Sequence, residues 1–275
     1  MDLAHVLWIG GPQGSGKSSI ARALSRRFDL QLYAIDARTW VHEDRMPRTE
    51  FSSRSMDERW VDARPQQMVE WFLTTSRHRF RLVLEDLAAL PDAPGVVVEG
   101  PQLFPPSVAA VLRDKAQALF LLPRPEDMRQ RLLERGGLLG TSDPDRARAN
   151  AIERDLLIAE AFERDVHTLE LPYLRVDAPL DEMIERAARA LAPMLAALPA
   201  GGDLGAVRRF ENDVVGTQLR LYLNSLGEDA PPEWKYPFGC ECGEAGCSDA
   251  IELTVSEYEA LSAAGDRSPL RRPTP

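Results

Sequence analysis

The chain has 275 residues, 44% of them apolar and 28% charged, an ordinary globular composition with length for one large domain and a smaller one. Its 33 basic and 43 acidic side chains give a formal charge of −10, which repels phosphate backbones and anionic lipid and argues against sustained nucleic-acid binding. No apolar run reaches membrane-spanning length, the first ten residues do not make a signal peptide, and three cysteines crowded between 240 and 247 cannot build a disulfide framework; the expectation is a cytoplasmic protein.

From His5 to Ile9 the run HVLWI is apolar and ends in Gly10 and Gly11, the pattern of a buried strand entering a sharp turn. Ile20, Leu24 and Phe28 then recur at helical spacing, with Arg22, Arg26 and Arg27 off that stripe. Further strands are predicted at LYAI (32–35), VVV (96–98), ALFLL (118–122) and YLRV (173–176), separated by helical patterns. Strands that are apolar at successive positions are covered on both faces. The fold class is therefore α/β, a five-stranded parallel sheet sandwiched by helices. A closing helix is expected over 180–198, and LPAGGDLGA (198–206) has the glycine and proline of a linker. The first domain would span 1–198. Residues 199–275 would hold the linker and a small cysteine-containing α+β module: a helix to about Leu226, the cysteine cluster, AIELTVSEYEAL, and the tail RSPLRRPTP, which reads as disordered.

Residues 11–18 satisfy GxxxxGK[ST] at every fixed position. Glycines 11, 14 and 16 let successive N–H groups point inward, and the following helix adds its positive end, so the loop can surround a phosphate with donors. Lys17, one of only three lysines, supplies a point charge for the β- and γ-phosphates, and the Ser18 hydroxyl is a Mg²⁺ ligand. The nucleotide-binding set is Gly11, Pro12, Gln13, Gly14, Ser15, Gly16, Lys17, Ser18 and Ser19, with Arg148 reaching from a lid; the bland alternative is a chance glycine turn. GVVVEGP (95–101) places Glu99 at a strand end, where ligands of such sheets bind, facing the loop as a metal partner directly or through water. RLVLED (81–86) competes for that role but continues at helical spacing through Phe80, Leu84 and Leu87.

Asp36 ends the second predicted strand and is a candidate to accept or orient the proton of an acceptor hydroxyl, or else to cap the helix that ARTWVHED would start. His42 and Arg45, six and nine residues on, are candidates to touch substrate. Between 124 and 154, Arg124, Arg129, Arg131, Arg135, Arg146, Arg148 and Arg154 flank the flexible stretch GGLLGTSDPD, as a closing lid requires. Of these, Arg154 is the catalytic candidate, followed by Arg148 and Arg129.

GGPQGSGKSS, IDARTWVHEDR, VVVEGPQLFPPSV, LFLLPRPEDMRQRLLERG and ERDLLIAEAFERDVHTLELPYLRVDAP together resemble small bacterial P-loop kinases of the nucleoside-monophosphate-kinase and shikimate-kinase type, in a branch often labelled only ATPase-like. The resemblance covers about residues 3–195. It implies ATP with Mg²⁺, Lys17 and Ser18 at the phosphates, Asp36 toward the acceptor and Arg154 in the lid. The chain carries no recognisable signature for a nucleotide, shikimate or sugar acceptor, so the small-molecule acceptor stays unnamed, as does the oligomeric state.

FGCECGEAGCSDAIELTVSEYEAL resembles a short segment that recurs in actinobacterial proteins. Cys240, Cys242 and Cys247 form CxCxxxxC, which could hold Zn²⁺ if a fourth ligand joined. The reading favoured by sequence is small buried cysteines in a tight turn, because no histidine follows His167. Two functions are compatible with all this: transfer of the γ-phosphoryl of MgATP to a small acceptor, or an ATP-dependent switch whose C-terminal module docks a partner.

Overall fold

A computed structural model describes residues 3–134, 140–226, 234–265 and 267–271. Five parallel strands form the main sheet: β1 (Val6–Gly10), β2 (Gln31–Ala34), β3 (Val96–Glu99), β4 (Ala118–Pro123) and β5 (Tyr173–Val176), in the spatial order β2-β3-β1-β4-β5. All five lie where the apolar runs predict them.

The continuous apolar character of these strands is explained by what covers each face. Alternate residues Val6, Trp8, Val96, Val98, Phe120 and Leu122 pack with Phe80, Val83 and Phe162, side chains of α4 (Pro65–Ala89) and α7 (Pro144–Thr168). Their neighbours Leu7, Ile9, Val97, Leu119 and Leu121 pack with Ile20, Leu24 and Met183, from α1 (Lys17–Arg27) and α8 (Leu180–Ala190). Both residues of each pair are thus buried, and no polar alternation survives. The predicted closing helix is broken at Leu191, after which α9 (Ala192–Ala197) continues with a proline in its first turn. Shorter helices complete the layer: α2 (Thr39–Arg45), α3 (Met56–Trp60), α5 (Pro105–Ala109) and α6 (Pro125–Glu134).

The stretch expected to be a linker is partly packed. Leu198 belongs to the α1/α8 core, and the Pro199 carbonyl accepts from the Gly95 N–H at 2.9 Å. From Leu204 the chain forms α10 (Leu204–Leu226), which lies along the open edge of the sheet at β2. There Glu211 accepts from the Leu32 N–H at 2.7 Å, and Arg208 donates to the Leu30 carbonyl at 2.9 Å. These side chains satisfy edge groups that would otherwise be open to another strand.

A small antiparallel hairpin follows, β6 (Lys235–Gly239) with β7 (Ala250–Thr254), and then α11 (Val255–Ala264). Helix α11 starts in a capping box, Thr254 with Glu257, and ends on Gly265 at φ 68°. Its core is Leu219, Phe238, Val255, Tyr258 and Leu270, with the Phe238 and Tyr258 rings stacked at 4.2 Å. The tail is not free throughout, as the sequence suggests: Ser268–Leu270 forms a 3₁₀ turn, Leu270 is fully buried, and its carbonyl accepts from the Glu241 N–H at 2.8 Å. One apolar residue among prolines and arginines gives a composition-based reading too little weight to detect this anchor.

Candidate active site

The loop between β1 and α1 holds its shape through three glycines at positive φ: Gly11 at 148°, Gly14 at 75° and Gly16 at 81°. A Cβ at Gly11 would lie 2.6 Å from the Leu121 carbonyl oxygen, so no larger residue fits there. The Ser15 N–H reaches back to the Pro12 carbonyl at 3.3 Å, closing the bend, while the Ser15 hydroxyl is buried without a hydrogen-bond partner. Lys17 begins α1 and is buried at 4% exposure; Ser18 and Ser19 beside it are exposed.

Glu99, the last residue of β3, is registered against Ile9 of β1 and Ala34 of β2. Its carboxylate accepts from Ser18 Oγ at 2.9 Å and is 3% exposed. Burial raises its proton affinity and the Lys17 charge opposes that rise. A buried carboxylate bonded to the hydroxyl at the head of a glycine loop, with an ammonium alongside, is a hard-oxygen donor set suited to Mg²⁺. The inward loop, the unpartnered Ser15 hydroxyl and Lys17 fit the phosphates of the nucleotide that such a metal accompanies.

A cleft of about 500 Å³ opens beside the loop, lined in part by Gly16, Ser19, Arg131, Ala178, Pro179 and Leu180. It is of a size for a small organic ligand. Arg131 on α6 donates to the Gly14 carbonyl at 3.0 Å, tying that helix to the loop. The sequence places Arg131 only among the lid arginines and does not mark the turn after β5. The signal available was position alone, since ligands of such sheets bind at the carboxyl ends of strands.

Asp36 opens a 3₁₀ turn (Asp36–Arg38) directly after β2 and is exposed. The cap position of that turn is Ile35 and that of α2 is Arg38, so Asp36 does not hold the helix-cap position. Instead Asp36 accepts from Gln102 Nε2 at 3.1 Å, and its charge acts on both Glu99 and Arg79. Arg79, buried in α4, donates to the Ile35 carbonyl at 2.6 Å and to Thr39 Oγ1 at 3.1 Å, fixing the backbone that carries Asp36. Neither Gln102 nor Arg79 was anticipated. Gln102 follows the Glu99-Gly100-Pro101 strand end, but Arg79 stands within an amphipathic helical pattern that gives it no mark.

The structure corrects the expectation for His42. It is fully buried, its Nε2 lies 3.0 Å from Asp86 Oδ2, and burial lowers its proton affinity, so it cannot touch a substrate in the cleft. Arg45 donates to the same carboxylate at 2.6 Å and to Glu85 at 2.9 Å, and Tyr33 donates to Asp86 at 2.6 Å. This cluster locks α2 onto α4. Burial works against ionised Asp86, yet the hydrogen bonds from His42, Arg45 and Tyr33 hold it well below the usual carboxylate range.

Of the lid arginines, Arg129 pairs with Glu153 on the surface at 2.7 Å. Arg154 donates twice to buried Asp155, at 2.7 and 2.9 Å, and its guanidinium lies over the Trp60 ring at 4.8 Å and the Phe72 ring at 5.6 Å. Arg148 is half-buried with its Nε unpartnered. Asn150 donates to the Trp60 carbonyl at 3.0 Å and the Ser142 N–H to Asp57 at 2.8 Å, so the start of α7 is docked on α3. Arg135 and residues 136–139 of the expected lid lie outside the described residues. Lys17, Ser18, Glu99 and Asp36 are therefore brought together, while Arg154 is held on the α3 and α4 side.

The parallel five-stranded sheet, with its glycine loop leading from β1 into α1 and Glu99 opposite Ser18, is an α/β architecture with the strand–GxxxxGK[ST]–helix arrangement of a P-loop. No family model matches the chain, and no curated protein matches it significantly. Among solved structures it is similar to TT1252 from Thermus thermophilus, at 22% identity over 68% of this chain and 96% of that one, with a TM-score of 0.43. It is also similar to a sugar kinase from Janibacter sp. HTCC2649, at 19% identity over 70% of this chain and 98% of that one, TM-score 0.38. A third is shikimate kinase from Bacteroides thetaiotaomicron, at 17% identity over 70% and 98%, TM-score 0.35. Among the described residues no helix is long and apolar enough to cross a membrane.

Proposed function

We propose that the protein is an ATP-dependent phosphotransferase that moves the γ-phosphoryl group of MgATP to a small-molecule acceptor. The observation that carries this reading is the bond between Ser18 and the buried Glu99 at the mouth of the glycine loop. A carboxylate kept at 3% exposure costs stability unless it is paired, hydrogen-bonded or bound to a metal, and here it stands between the Ser18 hydroxyl and the Lys17 charge, where a metal ligand belongs.

In this reading the loop amides and Lys17 bind and neutralise the nucleotide phosphates, and Ser18 and Glu99 hold Mg²⁺. When bound, the metal neutralises charge on the phosphoryl oxygens. Asp36, steadied by Gln102 and by Arg79 through its backbone, accepts the acceptor's hydroxyl proton or holds that hydroxyl in line. Arg148 brings positive charge from α7, and Arg154 joins it only on leaving Asp155 and its resting place over the Trp60 and Phe72 rings. The test is a metabolite-library incubation with MgATP, read by mass spectrometry for a gain of about 80 Da, one phosphoryl group. ADP formed only with one acceptor supports the reading, and ADP formation indifferent to every acceptor counts against it.

The nucleotide-dependent switch is favoured by one observation. A cleft of about 480 Å³ lies between the first turns of α1 and the C-terminal hairpin, and its walls include Ser18, Ser19, Arg22, Asn212, Tyr236 and Asp249. A change at the phosphates would be felt there directly. Partner binding that depends on nucleotide, with no phosphorylated product, would favour this second reading.

A further inference from the structure

Between β6 and β7 the chain makes a loop whose side chains the phosphotransfer site does not use. Cys240, Cys242 and Cys247 form no disulfide, and their Sγ atoms lie within 4.8 Å of one another. Two of the intervening residues, Gly243 at φ 78° and Gly246 at φ 71°, take left-handed backbone that folds the loop around the sulfurs. The Glu244 N–H points at Cys242 Sγ at 3.4 Å, a donor that favours a sulfur carrying negative charge. Backbone bonds pin the loop at both ends, from the Cys240 N–H to the Asp249 carbonyl at 2.9 Å and from the Cys247 N–H to the Glu244 carbonyl at 3.2 Å. Only Cys240 is fully buried; Cys242 and Cys247 are half-buried, so the expectation of three cysteines packed as small apolar residues does not hold.

We propose that this loop is a zinc site, with Cys240, Cys242 and Cys247 as three thiolate ligands and a fourth position open to water or another exchangeable ligand. Zn–S bonds of about 2.3 Å at tetrahedral angles put sulfurs about 3.8 Å apart, so the cluster needs to close only slightly around the ion. Soft thiolates select Zn²⁺ over Mg²⁺ or Ca²⁺, which separates this site from the one at Ser18 and Glu99. Loading the ion onto three thiols releases three protons and leaves a unit with one net negative charge.

The nearest buried carboxylate, Glu241, is not the fourth ligand. One of its oxygens accepts from Asn212 and Arg267 at 2.9 and 2.8 Å; the other, with Arg209 at 3.6 Å and no hydrogen bond, does not join the cluster that the three sulfurs make. The site has a mechanical role as well, because the Gly246 N–H donates to Asp29 Oδ1 at 2.8 Å, just beyond the end of α1. Closing the loop on an ion fixes the contact by which the module touches the helix that follows the phosphate loop.

The experiment is elemental analysis of the full chain, purified through gel filtration without added metal, together with Co²⁺ substitution followed in the near ultraviolet. About one zinc per chain and a thiolate-to-cobalt charge-transfer band are expected. Cys242→Ser and Cys247→Ser should each lose at least about tenfold of the retained zinc. Three results overturn the proposal: a wild-type chain that holds no zinc and gives no such band on Co²⁺ addition, zinc retained undiminished in both variants, or an intact mass about 2 Da low that reveals a disulfide. The wild-type measurements decide the matter even if a variant fails to fold. They do not involve ATP, so they stand apart from the phosphotransfer reading.

Discussion

The glycine loop and the Asp36 face lie at the same carboxyl end of the sheet, after β1 and β2 with β3 between them, yet they are built in opposite ways. The loop is made almost wholly by consecutive backbone, residues 11–18, whose path is set by glycines at positive φ. The Asp36 face is assembled from side chains: Gln102 arrives from 66 residues along the chain, and Arg79 reaches the Ile35 carbonyl from 44 residues away. A site made by backbone leaves a pattern in the sequence, because each residue type is demanded by local geometry. One made by converging side chains leaves none, since any segment that folds to that place could supply the group.

The contrast can be broken most directly at Lys17. Lys17→Ala should lower turnover by about a thousandfold, because it removes a preorganised charge aimed at the phosphates, and calorimetry should show MgATP affinity falling with it. If binding and turnover persist, the loop is not the phosphate site. Asp36→Asn comes next. It should lower turnover by about a hundredfold with little change in nucleotide affinity, which separates the two regions in a single kinetic comparison. An equal loss of ATP binding would show that they do not act separately.

The Asp86 cluster sharpens the comparison through stability. Asp86 has a depressed proton affinity in the folded state, so its contribution is present above the ordinary aspartate range and is lost as pH falls through and below it. Asp86→Asn should therefore cost about 2 kcal/mol at pH 7, and that gap should shrink below about pH 4, as read from urea unfolding of both proteins across pH. Turnover per folded molecule should change little, since Asp86 holds α2 and does not face the loop. The smallest effect is expected at Arg131. Arg131→Ala removes one bond to the Gly14 carbonyl, about 1 kcal/mol, and should raise the KM for ATP a few-fold while leaving kcat near its original value.

His42 shows where sequence reading misleads. In a linear reading, a histidine six residues beyond a candidate catalytic aspartate invites a chemical role. In the fold, α2 turns it under the surface onto Asp86, and its imidazole becomes part of a buried clamp. Glu99 is the reverse case: VVVEG between glycines marked both the strand and the carboxylate at its end, and the register with Ile9 then delivered it to Ser18. The cysteines fall between. Their spacing offered a possible ligand set, but the half-exposure of Cys242 and Cys247 and the convergence of all three sulfurs are properties of the folded hairpin.

What the sequence determined by itself was the five strands, the α/β class and the glycine loop between β1 and α1, because strand burial and glycine backbone geometry act over a few residues and write themselves into composition and spacing. What only the tertiary structure decided was the strand order, the sealing of the β2 edge by α10, the support of Asp36 by Gln102 and Arg79, and the resting place of Arg154 on Trp60. Those depend on contacts between segments tens of residues apart, and no local pattern constrains which residue arrives.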